Sequence, residues 1–196
     1  MQSDIRRAKL TQAASELFSE KGLPKTSIND ITSRAGVTRS LFYHYFEDKQ
    51  AAADAVIDDR VNEFVTRIIN FSKEHSDISM DEFLLRVASF VRSYLSSNFE
   101  LTDPVMRKYN EPILQGFTVS TAQRLSVTFM ENKDVPHSFA SQSHTPHPRE
   151  SFYLLAVGLV SLMIRAPQTS DEVIASIIAD NLRMENTHFE NDEGAE

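Results

Sequence analysis

Residues 38–49 read TRSLFYHYFEDK, interleaving hydrogen-bonding side chains with large apolar ones. Wound as a helix, the stretch sorts itself. Leu41, Phe42 and Phe46 turn toward a core, while Thr38, Arg39, Ser40, Tyr43 and His44 face out. The outward set suits a nucleic-acid duplex. The planar fork of Arg39 matches O6 and N7 of guanine. The Ser40 hydroxyl and the Tyr43 edge can reach bases or thymine methyl groups. Thr38, with the free N–H groups beside it, suits a phosphate. Lys49, in the first turn of the next helix, can pin a second phosphate. For His44 a role as general base or metal ligand is set aside, because no carboxylate or second histidine stands at ligand spacing.

A helix with two such faces works only if other elements hold it. Leu10, Ala13, Ala14, Leu17 and Phe18 form one apolar stripe, which predicts a first helix capped by Asp4 and ended by Gly22 and Pro24. Ser27, with Asp30 three residues on, predicts a capped second helix whose buried side is Ile28, Ile31 and Ala35. Gly36 stops it at an "AGVT" turn, Val37 plugs the gap, and Thr38 caps the third helix. Two short helices joined in this way form a helix-turn-helix.

Downstream, Asp48 can cap a long helix over 49–74, striped by Ile57, Val61, Phe64, Val65 and Ile68. Met80 to Leu95 repeats the pattern. Pro104 and Pro112 bracket a short helical piece, and 113–131 reads as helix again. Residues 132–149 are polar, hold three prolines and read as loop. His137, His144 and His147 in that stretch lack i, i+4 spacing and an acidic partner, so they read as solvated loop residues, not a metal site. An apolar helix follows near 150–165, then a helix capped by Ser170 with the stripe Ile174, Ile177, Ile178 and Leu182. The acidic tail 189–196 reads as disordered. The fold class is therefore all-α.

The bulk composition narrows the function classes. The 196 residues contain no cysteine, which excludes disulfides and cysteine-based metal sites. No clustered nucleophile or acid–base constellation stands out, so the sequence does not read as an enzyme and calls for no cofactor. The longest apolar run, Phe152 to Ile164, falls short of the roughly 20 residues a membrane span needs. The N-terminus carries charge without an apolar core, unlike a signal peptide, and a cytoplasmic protein is expected. The net charge is −8, yet residues 1–50 hold eight Lys+Arg against six Asp+Glu. The acidity lies elsewhere in the chain and leaves a basic face possible.

Residues 5–50 resemble the DNA-binding domain of the TetR family of bacterial transcriptional regulators, through AASELFSEKG (13–22), TSINDITSRAGVTRS (26–40) and FYHYFEDK (42–49). Ser40 and Leu41 depart from the Gly or Pro followed by Thr often found there, and Glu47 from a common basic residue. The resemblance implies a helix-turn-helix DNA-binding domain over 1–48 and an all-helical ligand-binding and dimerisation domain over 49–188. It carries DNA contacts to Ser27, Asn29, Thr38, Arg39, Ser40, Tyr43, His44 and Lys49, with Arg6 and Arg7 as further backbone contacts. The implied protein is a homodimer binding a palindromic double-stranded DNA operator, most readily as a repressor. A small apolar or amphipathic effector would release it, with the long helix 49–74 carrying the movement. The helices near 150–165 and 171–185 would form a four-helix dimer bundle. Ligand contacts are expected among the central aromatics, namely Tyr94, Tyr109, Phe117 and Phe152.

Overall fold

Every regular element among the described residues is an α-helix, as the apolar periodicity predicts. The structure, a computed structural model, describes residues 2–99, 103–131, 135–137 and 144–184. In chain order the helices are α1 Gln2–Lys21, α2 Ile28–Ala35, α3 Arg39–Tyr45, α4 Lys49–Glu74, α5 Met80–Asn98, α6 Pro104–Tyr109, α7 Glu111–Glu131, α8 Pro148–Arg165 and α9 Asp171–Asn181. The tail 189–196 and much of the expected loop 132–149 lie outside the described residues. The chain packs as two compact units, one of residues 1–63 with 96–117, the other of 64–95 with 118–196. The packing division thus falls inside α4 and inside α7, whereas the sequence suggests a functional division at 48/49.

In the first unit, Leu10, Ala13, Ala14, Leu17 and Phe18 are all buried, so the α1 stripe is core. The helix begins at Gln2, which places Asp4 in its first turn and not at the cap. Beyond α1, Gly22 has φ +83°, and a Cβ there would lie 2.6 Å from the Tyr109 Cβ. Only glycine meets both conditions. The Ser27–Asp30 capping box forms in both directions, the Ser27 N–H donating to Asp30 Oδ2 at 2.8 Å and the Asp30 N–H to Ser27 Oγ at 3.1 Å. Gly36 closes α2 with φ +66°, and Val37 N–H returns to Thr32 O. Phe42 and Phe46 are buried, each contributing about 1.5–3 kcal/mol.

Residues 96–117 pack in this unit through contacts no local pattern announces. Asn110 accepts from Leu23 N–H at 3.1 Å and donates to Phe18 O at 2.8 Å, closing the C-terminal end of α1. Arg60 donates to Asn98 O and to the Ser15 and Ser19 hydroxyls, with its guanidinium over the Phe99 ring.

The second unit has Phe83, Leu84, Ile174, Ile178 and Leu182 in its core. Arg92 of α5 grips the segment between α8 and α9, donating to Asp171 Oδ1 and to the carbonyls of Pro167 and Thr169. The helix α8 starts at Pro148, two residues before the expected point, because a proline suits the first helical position. His137 is not a solvated loop residue. It is half-buried, its ring stacks on Phe83 at 4.2 Å between centroids, and its Nε2 meets His75 O at 2.6 Å.

Candidate nucleic-acid interface

A seven-residue helix such as α3 cannot hold itself in water, so its geometry comes from its ends and its hidden side. Thr38 caps it, accepting from Leu41 N–H at 3.3 Å. Phe42 and Phe46 lock it into the first unit, with Leu41 half-buried beside them. On its outer side Thr38, Arg39, Ser40, Tyr43 and His44 are all exposed. Arg39 and Tyr43 stand one turn apart and are pre-arranged, with Arg39 Nη2 donating to Tyr43 Oη at 3.2 Å and the guanidinium 5.6 Å from the ring centroid. The fork and the phenol thus project as one unit.

In α2, Asn29 is exposed, whereas the hydroxyl of Ser27 is committed to Asp30. Arg6 and Arg7 are exposed on α1, and the Arg7 guanidinium lies 5.4 Å from the Phe46 ring centroid. Lys49 departs from its expected role. Its ammonium is half-buried and donates to Leu23 O at 2.7 Å and Thr26 O at 2.9 Å. It braces the α1–α2 connection from the start of α4, because the carbonyls of Leu23 and Thr26 lie within reach of its stem.

Three carboxylates of the head, Glu16, Glu20 and Asp30, are held in ion pairs. Arg34 pairs with Glu20 at 2.8 Å and Glu16 at 3.3 Å, and Lys21 with Asp30 at 2.7 Å. The Lys21 hydrogen bond, followed by those from Ser27, holds the Asp30 carboxyl well below the usual carboxylate range. The Arg34 guanidinium lowers Glu20 in the same way.

The expected ligand residues do not converge. Phe152 lines an apolar cavity of about 100 Å³ in the second unit. Tyr94 is buried there against Phe64, off the cavity wall. Tyr109 and Phe117 pack in the first unit, the one against Gly22 and beneath the Lys25 ammonium, the other against Phe99. Aromatic type alone could not separate core from cavity. The cavity instead takes its one hydroxyl-bearing side chain, Thr121, from α7, a residue the sequence reading did not single out. Among the described residues no helix is long and apolar enough to cross a membrane, and no group of three metal-ligating side chains gathers.

Comparison with known proteins agrees with this geometry. Residues 10–56 match the family described as bacterial regulatory proteins, tetR family. The chain is 24% identical over 166 residues to YvdT, an HTH-type transcriptional regulator of Bacillus subtilis (strain 168), covering 65% of this chain and 86% of that one. It is 36% identical over 52 residues to the HTH-type transcriptional repressor KstR2 of Rhodococcus jostii (strain RHA1), a stretch spanning about a quarter of either chain. Among solved structures, the TetR family repressor AlkX from Dietzia sp. strain DQ12-45-1b shares the fold, with a TM-score of 0.60 at 18% identity over 90% of this chain and 95% of that one. With its capped helix-turn-helix and one-sided third helix lying inside the matched residues, the N-terminal part of the chain matches the DNA-binding segment of the tetR family of bacterial regulatory proteins.

Proposed function

We propose that the protein is a cytoplasmic repressor that binds a palindromic operator as a homodimer, with one α3 in each of two major grooves about one helical turn apart. The observation that carries this reading is the division of α3 into a buried side, Phe42 and Phe46, and an exposed side bearing Thr38, Arg39, Ser40, Tyr43 and His44. Arg39 reads a guanine edge, while Ser40, Tyr43 and His44 meet neighbouring bases or phosphates. Thr38, Asn29, Ser27, Arg6 and Arg7 position the head on the backbone. The functional boundary is taken at 48/49, after which the chain serves dimerisation and effector binding.

Dimerisation is supported by apolar surface on α8 and α9. Leu154 is 69% exposed and Val173 is 50% exposed, in helices whose other faces are core. A second copy covering them gives the isologous four-helix arrangement common in helical dimers. The effector reading is supported by the apolar cavity in the second unit. α4 contributes residues to both units, so an effector favouring one conformer of its second half biases the head by the difference in affinity for the two conformers, and by no more.

The test is operator binding by fluorescence anisotropy, using DNA from upstream of the protein's own gene. Arg39→Ala is expected to cost about 1–3 kcal/mol and to relax base preference at one position of each half-site. Unchanged affinity and unchanged preference would refute the assignment of α3 as the reading helix.

A further inference from the structure

The cavity in the second unit is bounded by α4, α5, α7, α8 and α9. Fifteen of its sixteen lining residues are apolar, and four of them, Phe64, Phe83, Phe129 and Phe152, are phenylalanines. The sixteenth is Thr121. Its side chain is 2% exposed, and its Oγ1 has no hydrogen-bond partner. Three other helical threonines return the hydroxyl to a carbonyl of the preceding turn, Thr11 to Arg7 O, Thr32 to Asn29 O and Thr128 to Arg124 O. Thr121 forgoes that bond and keeps a donor and an acceptor beside the cavity.

A buried hydroxyl without a partner destabilises a fold, so a site that retains one suits a ligand that completes it. Water is a poor occupant, because it needs two to four polar partners and finds one here. The absence of any charged lining residue disfavours carboxylates and amines, whose burial without a counter-charge is costly. Volume sets the scale. Apolar cavities of about 150 Å³ accept benzene, so about 100 Å³ is tight for one ring, and a ring with a small substituent enters only as the flexible Met163 in the wall gives way. The four phenylalanine rings favour an aromatic guest through edge-to-face contact.

We infer that the cavity binds an uncharged monocyclic phenol, about the size of a cresol, with Thr121 as the group that pairs its hydroxyl. The regulatory consequence, release of the operator, rests on the effector reading above. The binding itself does not.

The experiment uses the full chain, isothermal titration calorimetry and three probes, p-cresol, toluene and p-toluate. Wild type is expected to bind one p-cresol per chain, about tenfold tighter than toluene, and to reject p-toluate. Thr121→Val, which keeps the shape and removes the hydroxyl, is expected to keep toluene binding and lose the preference for p-cresol. Its unliganded melting midpoint should rise. Thr121→Ser should retain the preference and serves as the folded control. The inference is overturned if wild type does not bind p-cresol, or if the cresol-to-toluene ratio is the same in Thr121→Val as in wild type. Operator affinity is measured on the same samples. Cresol binding that depends on Thr121 but leaves operator affinity unchanged supports the site and defeats the effector reading. Intact operator binding with no cresol binding defeats the site and leaves the DNA reading standing.

Discussion

Lys49 offers a decision between two physical roles. As a phosphate contact its ammonium would face solvent, but here it donates to Leu23 O and Thr26 O at 2.7 and 2.9 Å. Lys49→Met preserves the length of the stem and removes both bonds. A hydrogen bond from a charged donor contributes about 1.5–3 kcal/mol when the acceptor is buried. Lys49 is only half-buried, so water re-solvates the carbonyls in part and the long side chain regains freedom. A net loss of about 1–2 kcal/mol remains after that discount. Urea unfolding followed by circular dichroism is expected to show a midpoint lower by about 0.5–1 M, taking an m-value of about 2 kcal/mol/M. The companion measurement is operator affinity against salt concentration. Each phosphate contact adds about 0.9 to the slope of log affinity on log salt, and a brace adds nothing. The slope is therefore expected to match wild type even though affinity drops with the disordered α1–α2 connection. An unchanged urea midpoint together with a slope reduced by about 0.9 would refute the bracing role.

Gly22→Ala and Gly36→Ala separate two costs. Both positions have positive φ, about 1–2 kcal/mol against an L side chain, but a Cβ at Gly36 meets nothing within 4 Å, whereas at Gly22 it meets Tyr109. Gly22→Ala is expected to lower the thermal midpoint further, and equal losses would count against the Tyr109 contact. The Asp30 carboxyl is expected to titrate well below 3.8 by carboxyl-detected NMR. Since folding lowers its pKa, its stabilising effect is complete above that ordinary value and fades as pH falls toward the folded pKa, so Asp30→Asn should flatten the acid limb of the stability curve. A wild-type titration at the ordinary value would remove the Lys21 pairing from solution. Leu154→Arg places a charge in the proposed dimer face and is expected to give monomer in sedimentation equilibrium, with unchanged helicity. A dimer that persists would move the interface elsewhere.

The head was legible because its information is local. Ser27 with Asp30, Gly36 at a left-handed turn and Thr38 before an aromatic run each fix one backbone event within four residues. The 96–117 segment was not legible as part of that unit. Asn110 reaches Leu23 and Phe18 across 87 and 92 residues of chain, and no periodicity encodes such a partner. The bonds of Lys49 were not legible for a related reason. Its position beside α3 suits a phosphate, and only the fold reveals two nearer acceptors. Of the expected ligand residues only Phe152 lines the cavity, because phenylalanine and tyrosine fill cores and cavities alike.

A chain of net charge −8 can still approach a polyanion, since what the duplex meets is the field within a Debye length of about 8–10 Å, not the total. The first fifty residues carry a small positive excess, and three of their six acids, Glu16, Glu20 and Asp30, are held in ion pairs with Arg34 and Lys21. That pairing costs the head two cations but removes the repulsion those carboxylates would exert. Arg39 donates its hydrogen bond to the Tyr43 hydroxyl and not to a carboxylate, so its charge stays uncompensated at that contact, on the exposed side of a helix whose other side is fixed by Phe42 and Phe46. Charge placement and hydrophobic packing thus act on the same seven residues. The packing sets the direction of the arginine, and the phenol sets its rotamer without neutralising it.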